Sequence, residues 1–166
     1  MSRDFIKDQG FLAFGTRFRR IGEKMQSETQ TLIEDEGVAV QSSHFPLLFA
    51  IDEGGNLTIS ALAAKLGVSQ PGVTRTVGQL EKQGFVNVSQ GKHDKRQREV
   101  SLTGLGKEAM AIGRDRIAPR LVRCLSQVVE GAHGTITEQL DHIEAELSAK
   151  PFLDRSPNHI KGNNDD

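Results

Sequence analysis

The side chains with the clearest chemical potential lie on one predicted helix that starts after Ser69. Val73, Val77 and Leu80 recur at i, i+4 and i+7, which predicts that they form the buried side of this helix. The polar side chains left on its outer face are Gln70, Thr74, Arg75 and Gln79. Amide, hydroxyl and guanidinium groups can hydrogen-bond base edges or phosphates, and none of them brings a negative charge toward DNA. The pattern therefore indicates nucleic-acid recognition.

A second short helix and a tight turn must position that face. The predicted first helix, 59–66, carries one apolar stripe, and Gly67 ends it because glycine adopts the left-handed conformation without a steric cost. Ser69 caps the second helix, and Pro71 fits its first turn because no N–H is needed there. Together they predict a helix-turn-helix whose second helix enters a DNA major groove. The alternative is an αα-corner in an ordinary helical domain.

A charged hairpin is predicted to follow. Segments 86–90 and 98–102 alternate between apolar and polar residues, as strands with one buried face do, and 56–58 is a candidate third strand. The tip between the two segments, 91–96, is dense in cations. From 65 to 98 there are seven Lys and Arg but only two acidic residues, whereas the whole chain has a net charge of −1. This asymmetry favours a winged helix with a nucleic-acid-binding face over a merely solvated turn.

The wing segment resembles the signature of the MarR family of bacterial transcription regulators. The residues that carry the resemblance are Leu80, Glu81, Gly84, Phe85, Val86, Asp94, Arg96, Val100, Leu102, Thr103 and Gly106. The resemblance extends from about Phe11 to Leu147, and 45–49 resembles a branch sometimes fused to GNAT-type acetyltransferases, which often has tryptophan in place of Phe45. It implies a mainly α fold with a small β wing, in which long N- and C-terminal helices dimerise. It also implies sequence-specific binding of double-stranded DNA, most often as a repressor.

The expected organisation is one domain over 1–153 with a disordered tail at 154–166. Within it, 4–37 and 104–150 are predicted dimerisation helices and 56–103 the winged helix-turn-helix. The first helix is predicted to run from Asp4 to Asp35 as one piece, and Pro119 is expected to kink the later helix near 115–118. The predicted apolar seam of the first helix consists of Phe11, Phe14, Phe18, Ile21, Met25 and Leu32. This seam is longer than the winged helix can cover, so a homodimer that binds a pseudo-palindrome is predicted.

Composition excludes several functional classes. No apolar run approaches a membrane span, and the N-terminus lacks the apolar core of a signal peptide, so a cytoplasmic protein is expected. The single cysteine, Cys124, permits no intrachain disulfide framework and is expected to be a buried small hydrophobe. The five histidines show no metal-ligand spacing, and no phosphate loop, nucleophile elbow or catalytic carboxylate pair is visible. No metal, cofactor or enzymatic activity is therefore predicted.

The predicted DNA contacts divide by role. Arg75 is the best candidate for bidentate contact with guanine, and Arg96 is expected in the adjacent minor groove, where narrow A·T-rich tracts attract arginine. By the resemblance, Asp94 orients Arg96 or Arg98 and does not touch DNA. The full predicted set is Ser69, Gln70, Thr74, Arg75, Gln79, Lys92, Lys95, Arg96 and Arg98, of which the wing lysines and Arg98 would contact the phosphate backbone.

The resemblance also implies a cleft that admits small amphipathic, often phenolic, anions as effectors. The candidate cleft residues are Phe14, Arg17, Phe18, His44, Phe45 and Phe49, each of which could equally be plain core or surface. Two alternatives from other classes stay open. One is a winged-helix protein–protein interaction module, or an antagonist of another regulator, without specific DNA reading. The other is an acetyltransferase relative that retained only DNA binding. The positive face disfavours the interaction module.

Overall fold

Helices dominate the described residues, 4–91, 97–130 and 134–149, of the computed structural model. The helices are α1 Phe5–Asp8, α2 Phe14–Asp35, α3 Phe45–Gly54, α4 Ile59–Leu66, α5 Gln70–Lys82, α6 Gly104–Ile112, α7 Ala118–Val128 and α8 Ile136–Ala149. The strands are β1 Leu57–Thr58, β2 Val86–Gln90 and β3 Arg98–Leu102. The predicted fold class, mainly α with a small β wing, is confirmed.

The chain divides into two compact units, one up to Arg123 and one from Cys124 onward. The first unit contains the core, to which α3, α4 and α5 contribute Leu48, Leu62 and Leu80, all fully buried. The second unit contains the end of α7 and α8, whose C-terminal bound is Ala149. The predicted domain bounds remain a prediction, and the predicted tail lies outside the described residues.

The N-terminal segment differs from the predicted single helix between Asp4 and Asp35. Gly10 has a positive φ of 55°, and a left-handed residue cannot continue a right-handed helix. The segment is therefore α1, a short 3-10 turn at Gly10–Ala13 and then α2. Asp4 caps α1 and binds Arg20 at 3.0 Å, and the hydrogen bond from Arg20 lowers the pKa of Asp4.

The three strands form an antiparallel sheet in the order β1–β3–β2. In this register Val100 of β3 faces Val88 of β2 on one side and Leu57 of β1 on the other. Val86 and Val100 are buried, so the apolar positions of the alternating pattern face the core and the polar positions face outward. The expected third strand is thus present as β1.

The irregularity predicted near Pro119 takes the form of a π-helical turn, Gly113–Ile117, between α6 and α7. The N–H of Ala118 donates to the carbonyl of Gly113, five residues earlier. A proline cannot donate to the carbonyl four residues before it and its ring crowds that carbonyl, so a wider turn accommodates Pro119.

Arginines in and around the π turn tie this segment to earlier helices. Arg114 pairs with Asp52 of α3, and both Arg116 and Arg120 pair with Glu36 at the end of α2. The side chain of Glu36 is only 7% exposed, so its carboxylate is a nearly buried charge. Two guanidinium groups around one such carboxylate offset the desolvation that burial costs.

Thr103 joins the end of the helix-turn-helix to α6. Its hydroxyl donates to the carbonyl of Gly84 at 2.6 Å and accepts from the N–H of Gly106 at 3.0 Å, which caps α6. Gly106 itself lies against the residue before β2, because a Cβ built there would be 2.1 Å from the carbonyl oxygen of Phe85. Only glycine permits this approach of helix and strand.

We expect Gly106→Ala to lower the free energy of unfolding by roughly 1–3 kcal/mol or more, because its methyl group must displace the Phe85 backbone. Gly104→Ala is the matched control. Gly104 is in the same helix with nothing within 4 Å of a built Cβ, so its replacement should be neutral or slightly stabilising. Chemical denaturation of both variants checks the difference. Equal stabilities would contradict the close approach.

Candidate nucleic-acid interface

Local hydrogen bonds define the two helices of the helix-turn-helix. Thr58 caps α4 by accepting from the N–H of Ala61 at 3.1 Å, and Ser69 caps α5 by accepting from the N–H of Gly72 at 3.4 Å. Gly67, between the helices, is left-handed with a φ of 64° and a ψ of 28°. The two capping residues and the turn glycine all lie within the helix-turn-helix segment itself. The sequence therefore predicts the bounds of both helices well.

The outer face of α5 is solvent-exposed along its length. Val73, Val77 and Leu80 are buried beneath the helix. The exposed polar residues opposite them are Gln70, Thr74, Arg75 and Gln79. We call these four residues the outer face of α5. Within the described part of the chain, Arg75 has neither an ion pair nor a side-chain hydrogen bond, so its guanidinium donors are available to a partner.

Two hydroxyls near this face have restricted roles. The hydroxyl of Thr74 donates to the carbonyl of Gln70 at 2.9 Å, so toward DNA it offers lone pairs and a methyl group. The oxygen of Ser69 accepts the capping bond, which leaves its hydrogen free to donate to a phosphate. Helical spacing alone does not indicate which role each hydroxyl takes.

The described stem of the wing is a regular hairpin. Gln90 faces Arg98 at its end, and the N–H of Gly91 donates to the carbonyl of Gln97 at 2.8 Å. Arg98 is exposed at the start of β3. The predicted contacts Lys92, Lys95 and Arg96, and the predicted orienting residue Asp94, lie outside the described residues.

One of the seven basic residues between 65 and 98 has an acidic partner. Lys65 on α4 pairs with Glu53 of α3 at 2.9 Å, although both side chains remain substantially exposed. An exposed pair of this kind contributes about 0–1 kcal/mol to stability, yet it holds Lys65 toward α3. The positive charge that the sequence assigns to this region is therefore partly compensated on the α4 side.

The six predicted ligand residues lie on α2, on α3 and at the residue just before α3. Phe14 and Phe18 stack edge to face on α2 with ring centroids 4.7 Å apart, and both are exposed. Phe45 and Phe49 on α3 lie 6.1 Å apart, and Phe45 is buried. A Cβ on Gly113 would lie 3.0 Å from the Phe45 ring, so Phe45 packs against the π turn.

The other two candidates also differ in setting. Arg17 is half-buried on α2, whereas His44 is only 6% exposed and its Nδ1 has no hydrogen-bond partner among the described residues. Burial lowers the pKa of His44. None of the six residues lines the cavity of about 400 Å³ near the end of α5, which sequence reasoning missed. No local sequence signal could have found it, because its lining comes from three separate parts of the chain.

Three further observations concern other kinds of site. Cys124 is exposed in this chain, so the expectation of a buried cysteine is wrong; α7 presents this position outward. In the described ranges no three His, Cys, Asp or Glu side chains lie close enough to hold a metal ion. Over those same residues, no helix is both long and apolar enough to cross a membrane.

The family model described as MarR family matches residues 40–97, which span α3, the helix-turn-helix and β2 and end just before β3. No match was found among curated proteins.

Solved structures of MarR-type regulators share the fold. An Escherichia coli MarR mutant complexed with operator DNA has a TM-score of 0.68 and 17% identity, covering 87% of this chain and 99% of that one. The Mycobacterium tuberculosis regulator MosR in complex with DNA has a TM-score of 0.63 and 23% identity, covering 81% and 93%. Bordetella bronchiseptica BpsR, whose DNA binding is regulated by 6-hydroxynicotinic acid, has a TM-score of 0.62 and 18% identity, covering 81% and 98%. At these identities the likeness establishes the fold.

The burial of His44 predicts a pH-dependent stability. Its pKa is lower in the folded chain than the ordinary 6.5, so the unfolded chain binds protons more readily as the solution becomes acidic. The contribution of His44 to stability is complete above pH 6.5 and is lost as pH falls below it. His44→Gln should therefore flatten the fall in unfolding free energy between about pH 7 and pH 5.

The exposed His142 provides the control for that measurement. Denaturant unfolding of wild type, His44→Gln and His142→Gln across this pH range separates the two histidines. If His44→Gln retained the wild-type slope, the buried neutral state of His44 would be refuted.

Proposed function

We propose that this chain belongs to the MarR family, whose model matches residues 40–97, and that it is a transcriptional regulator that binds specific double-stranded DNA. It acts as a homodimer on a pseudo-palindromic operator, represses transcription and is released by a small amphipathic ligand. Its chemistry is recognition rather than catalysis.

The observation that carries this proposal is the outer face of α5. A helix with one side fully buried and the other exposed, polar and free of carboxylates along its first three turns fits a DNA major groove. Arg75 is the strongest candidate for base reading because its guanidinium can bond guanine in a bidentate manner. Gln70 and Gln79 flank it as amides suited to adenine.

The hairpin supports the same function through contacts with the phosphate backbone of DNA. Arg98 is exposed at the wing stem, where it can neutralise a phosphate. We also propose that Arg96 enters the minor groove, that Asp94 orients Arg96 or Arg98, and that Lys92 and Lys95 contact the phosphate backbone of DNA.

A second copy of the chain is proposed to cover the apolar face of α2 and the turn before it. Phe11 and Leu12 are 90% and 92% exposed, and the other exposed apolar residues of this face are Phe14, Phe18, Ile21 and Met25. A row of large apolar side chains this long is costly to leave in water and is typical of an interface. A twofold dimer would place two copies of α5 about one DNA turn, roughly 34 Å, apart.

The proposal that a ligand releases the chain from DNA is based on one similar protein. DNA binding by BpsR is regulated by 6-hydroxynicotinic acid. A ligand that binds better to one spacing of the two α5 helices would change DNA affinity by that difference.

Selection of bound duplexes from a random pool tests the function. We expect enrichment of a pseudo-palindrome with half-sites about one turn apart, and affinity that persists at moderate salt. No enriched motif, with binding that disappears as salt rises, would reject sequence-specific regulation. That result would favour the interaction-module alternative.

Two substitutions distinguish base reading from backbone contact on the selected duplex. Arg75→Ala should weaken the free energy of binding to the selected duplex by roughly 1–3 kcal/mol. It should also relax the base preference at one base pair in each half-site. Arg98→Ala should weaken all sequences alike and reduce the slope of log K against log salt by about one. Binding titrations on the selected duplex and on single-base variants, each at several salt concentrations, measure both effects. Unchanged specificity in Arg75→Ala would remove Arg75 from the proposed contacts.

The dimer is tested by a charge on the apolar face. Ile21→Asp should yield a monomer at concentrations where wild type is dimeric, because a carboxylate would be desolvated in the interface. Ser27→Asp adds the same charge to α2 roughly 120° away around the helix and should remain dimeric. Sedimentation velocity measures the assembly state. A dimeric Ile21→Asp protein would place the interface elsewhere.

A further inference from the structure

A cavity of about 400 Å³ lies near the C-terminal end of α5, within the first compact unit. Three parts of the chain line it: the turn Gly37–Ala39 after α2, the segment from Gln83 to Phe85, and one side of α6. Its volume is within the range of small-molecule sites, roughly 300–1,000 Å³. Its apolar lining residues are Val38, Ala39, Phe85, Leu105, Ala109 and Ile112.

Hydrogen bonds hold the wall formed by α6 and β2 together. Thr103 bonds the carbonyl of Gly84 at 2.6 Å and caps α6 through Gly106 at 3.0 Å. Because Gly106 lies directly on the Phe85 carbonyl, α6 and the start of β2 are fixed as one wall.

The opposite wall is anchored independently. The turn starts immediately after Glu36, whose carboxylate is bound by Arg116 and Arg120. The N–H of Val38 then donates to the carbonyl of Ile33 at 3.2 Å. Because both walls are anchored within the folded chain, the cavity is a preformed site, which limits the ordering cost of binding.

The charge of the residues that line the cavity favours a positively charged ligand. Glu108 is the one charged residue along this cavity in the described structure, and Gln83 adds an amide. A bound anion would lie beside an uncompensated carboxylate, whereas a cation would be attracted to it. Leu105 is 49% exposed at the same site and offers apolar surface to the body of a ligand.

We propose that this cavity binds a small amphipathic cation, an aromatic or aliphatic ammonium compound whose apolar body covers Leu105 and Phe85 and whose charge pairs with Glu108. The ligand class is opposite in charge to the phenolic anions that the sequence resemblance implies. It also differs from the carboxylic acid that regulates BpsR.

Occupancy of this cavity is coupled to DNA binding, a step that rests on the proposed function. Gln83 directly follows the last residue of α5, and its N–H continues the helix by bonding Gln79 at 3.1 Å. A ligand between Gln83 and the turn Gly37–Ala39 therefore sets how the end of α5 lies against the end of α2. Any preference of the ligand for one arrangement changes DNA affinity reciprocally.

The test uses two matched probes on the full chain without DNA, 2-phenylethylammonium and phenylacetate. Calorimetric titration and thermal unfolding should show binding and a raised Tm with the ammonium probe but not with phenylacetate. Glu108→Gln should weaken ammonium binding roughly fivefold, as expected for a partly exposed charge pair. Glu108→Lys should reverse the preference toward phenylacetate.

Two further variants complete the test. Leu105→Trp should abolish binding of the ammonium probe by filling the cavity, with circular dichroism confirming that it folds. Glu130→Lys changes the net charge as Glu108→Lys does but does not line the cavity, so it should bind like wild type. Equal binding of the two probes by wild type, or unchanged binding in Glu108→Lys, would overturn the assigned ligand class.

DNA titration in the presence of the ammonium probe tests the coupling separately. An affinity for the selected duplex that changes in wild type but not in Leu105→Trp supports it, and an unchanged wild-type affinity overturns it. If wild type bound no specific duplex at all, the proposed function would fail while the ligand site would still stand on the calorimetry.

Discussion

The hydroxyl of Thr103 is the contact on which the position of the helix-turn-helix most depends. It donates to the Gly84 carbonyl two residues after α5, lies 3.1 Å from the Phe85 carbonyl just before β2, and caps α6 through Gly106. One side chain thus satisfies polar groups at the junction of a helix end, a strand start and a new helix. Such groups are costly to leave unpaired at a partly buried junction, so these bonds fix the chain that leaves α5 against the start of α6.

A second constraint comes from charge at the far end of α2. Glu36 places a carboxylate in a nearly buried position, which is stable only because Arg116 and Arg120 accompany it. These arginines belong to the π turn and the first turn of α7, so the same ion pairs determine where the chain leaves the winged helix. The same π-helical turn accommodates Pro119, which follows it in α7.

Two exposed faces of the chain differ in the kind of partner that each suits. The outer face of α5 is polar and free of acidic residues over its first three turns, whereas α2 exposes a row of aromatic and aliphatic side chains. A polar helix face can meet DNA and keep its hydrogen bonds, while an apolar face gains free energy only when water is removed from it. One chain thus carries two surfaces with different physical demands, one suited to a nucleic acid and one to a second protein surface.

Local patterns in the sequence were sufficient to predict α4, α5, β2 and β3 and the outer face of α5. Caps, a turn glycine and apolar periodicity act within a few residues of one another, so Ser69, Gly67 and Val73 specify their surroundings without help from distant parts of the chain. The DNA contacts assigned to that face stay predictions, since base recognition depends on a partner. The helix break at Gly10 and the exposure of Cys124 were not predicted correctly, and the ligand contacts stay predictions. Only the tertiary structure decided that Glu36 meets Arg116, that Lys65 meets Glu53, and that a cavity forms between Val38 and Leu105. These contacts join residues far apart in sequence, and their distances follow from how whole helices pack rather than from any local signal.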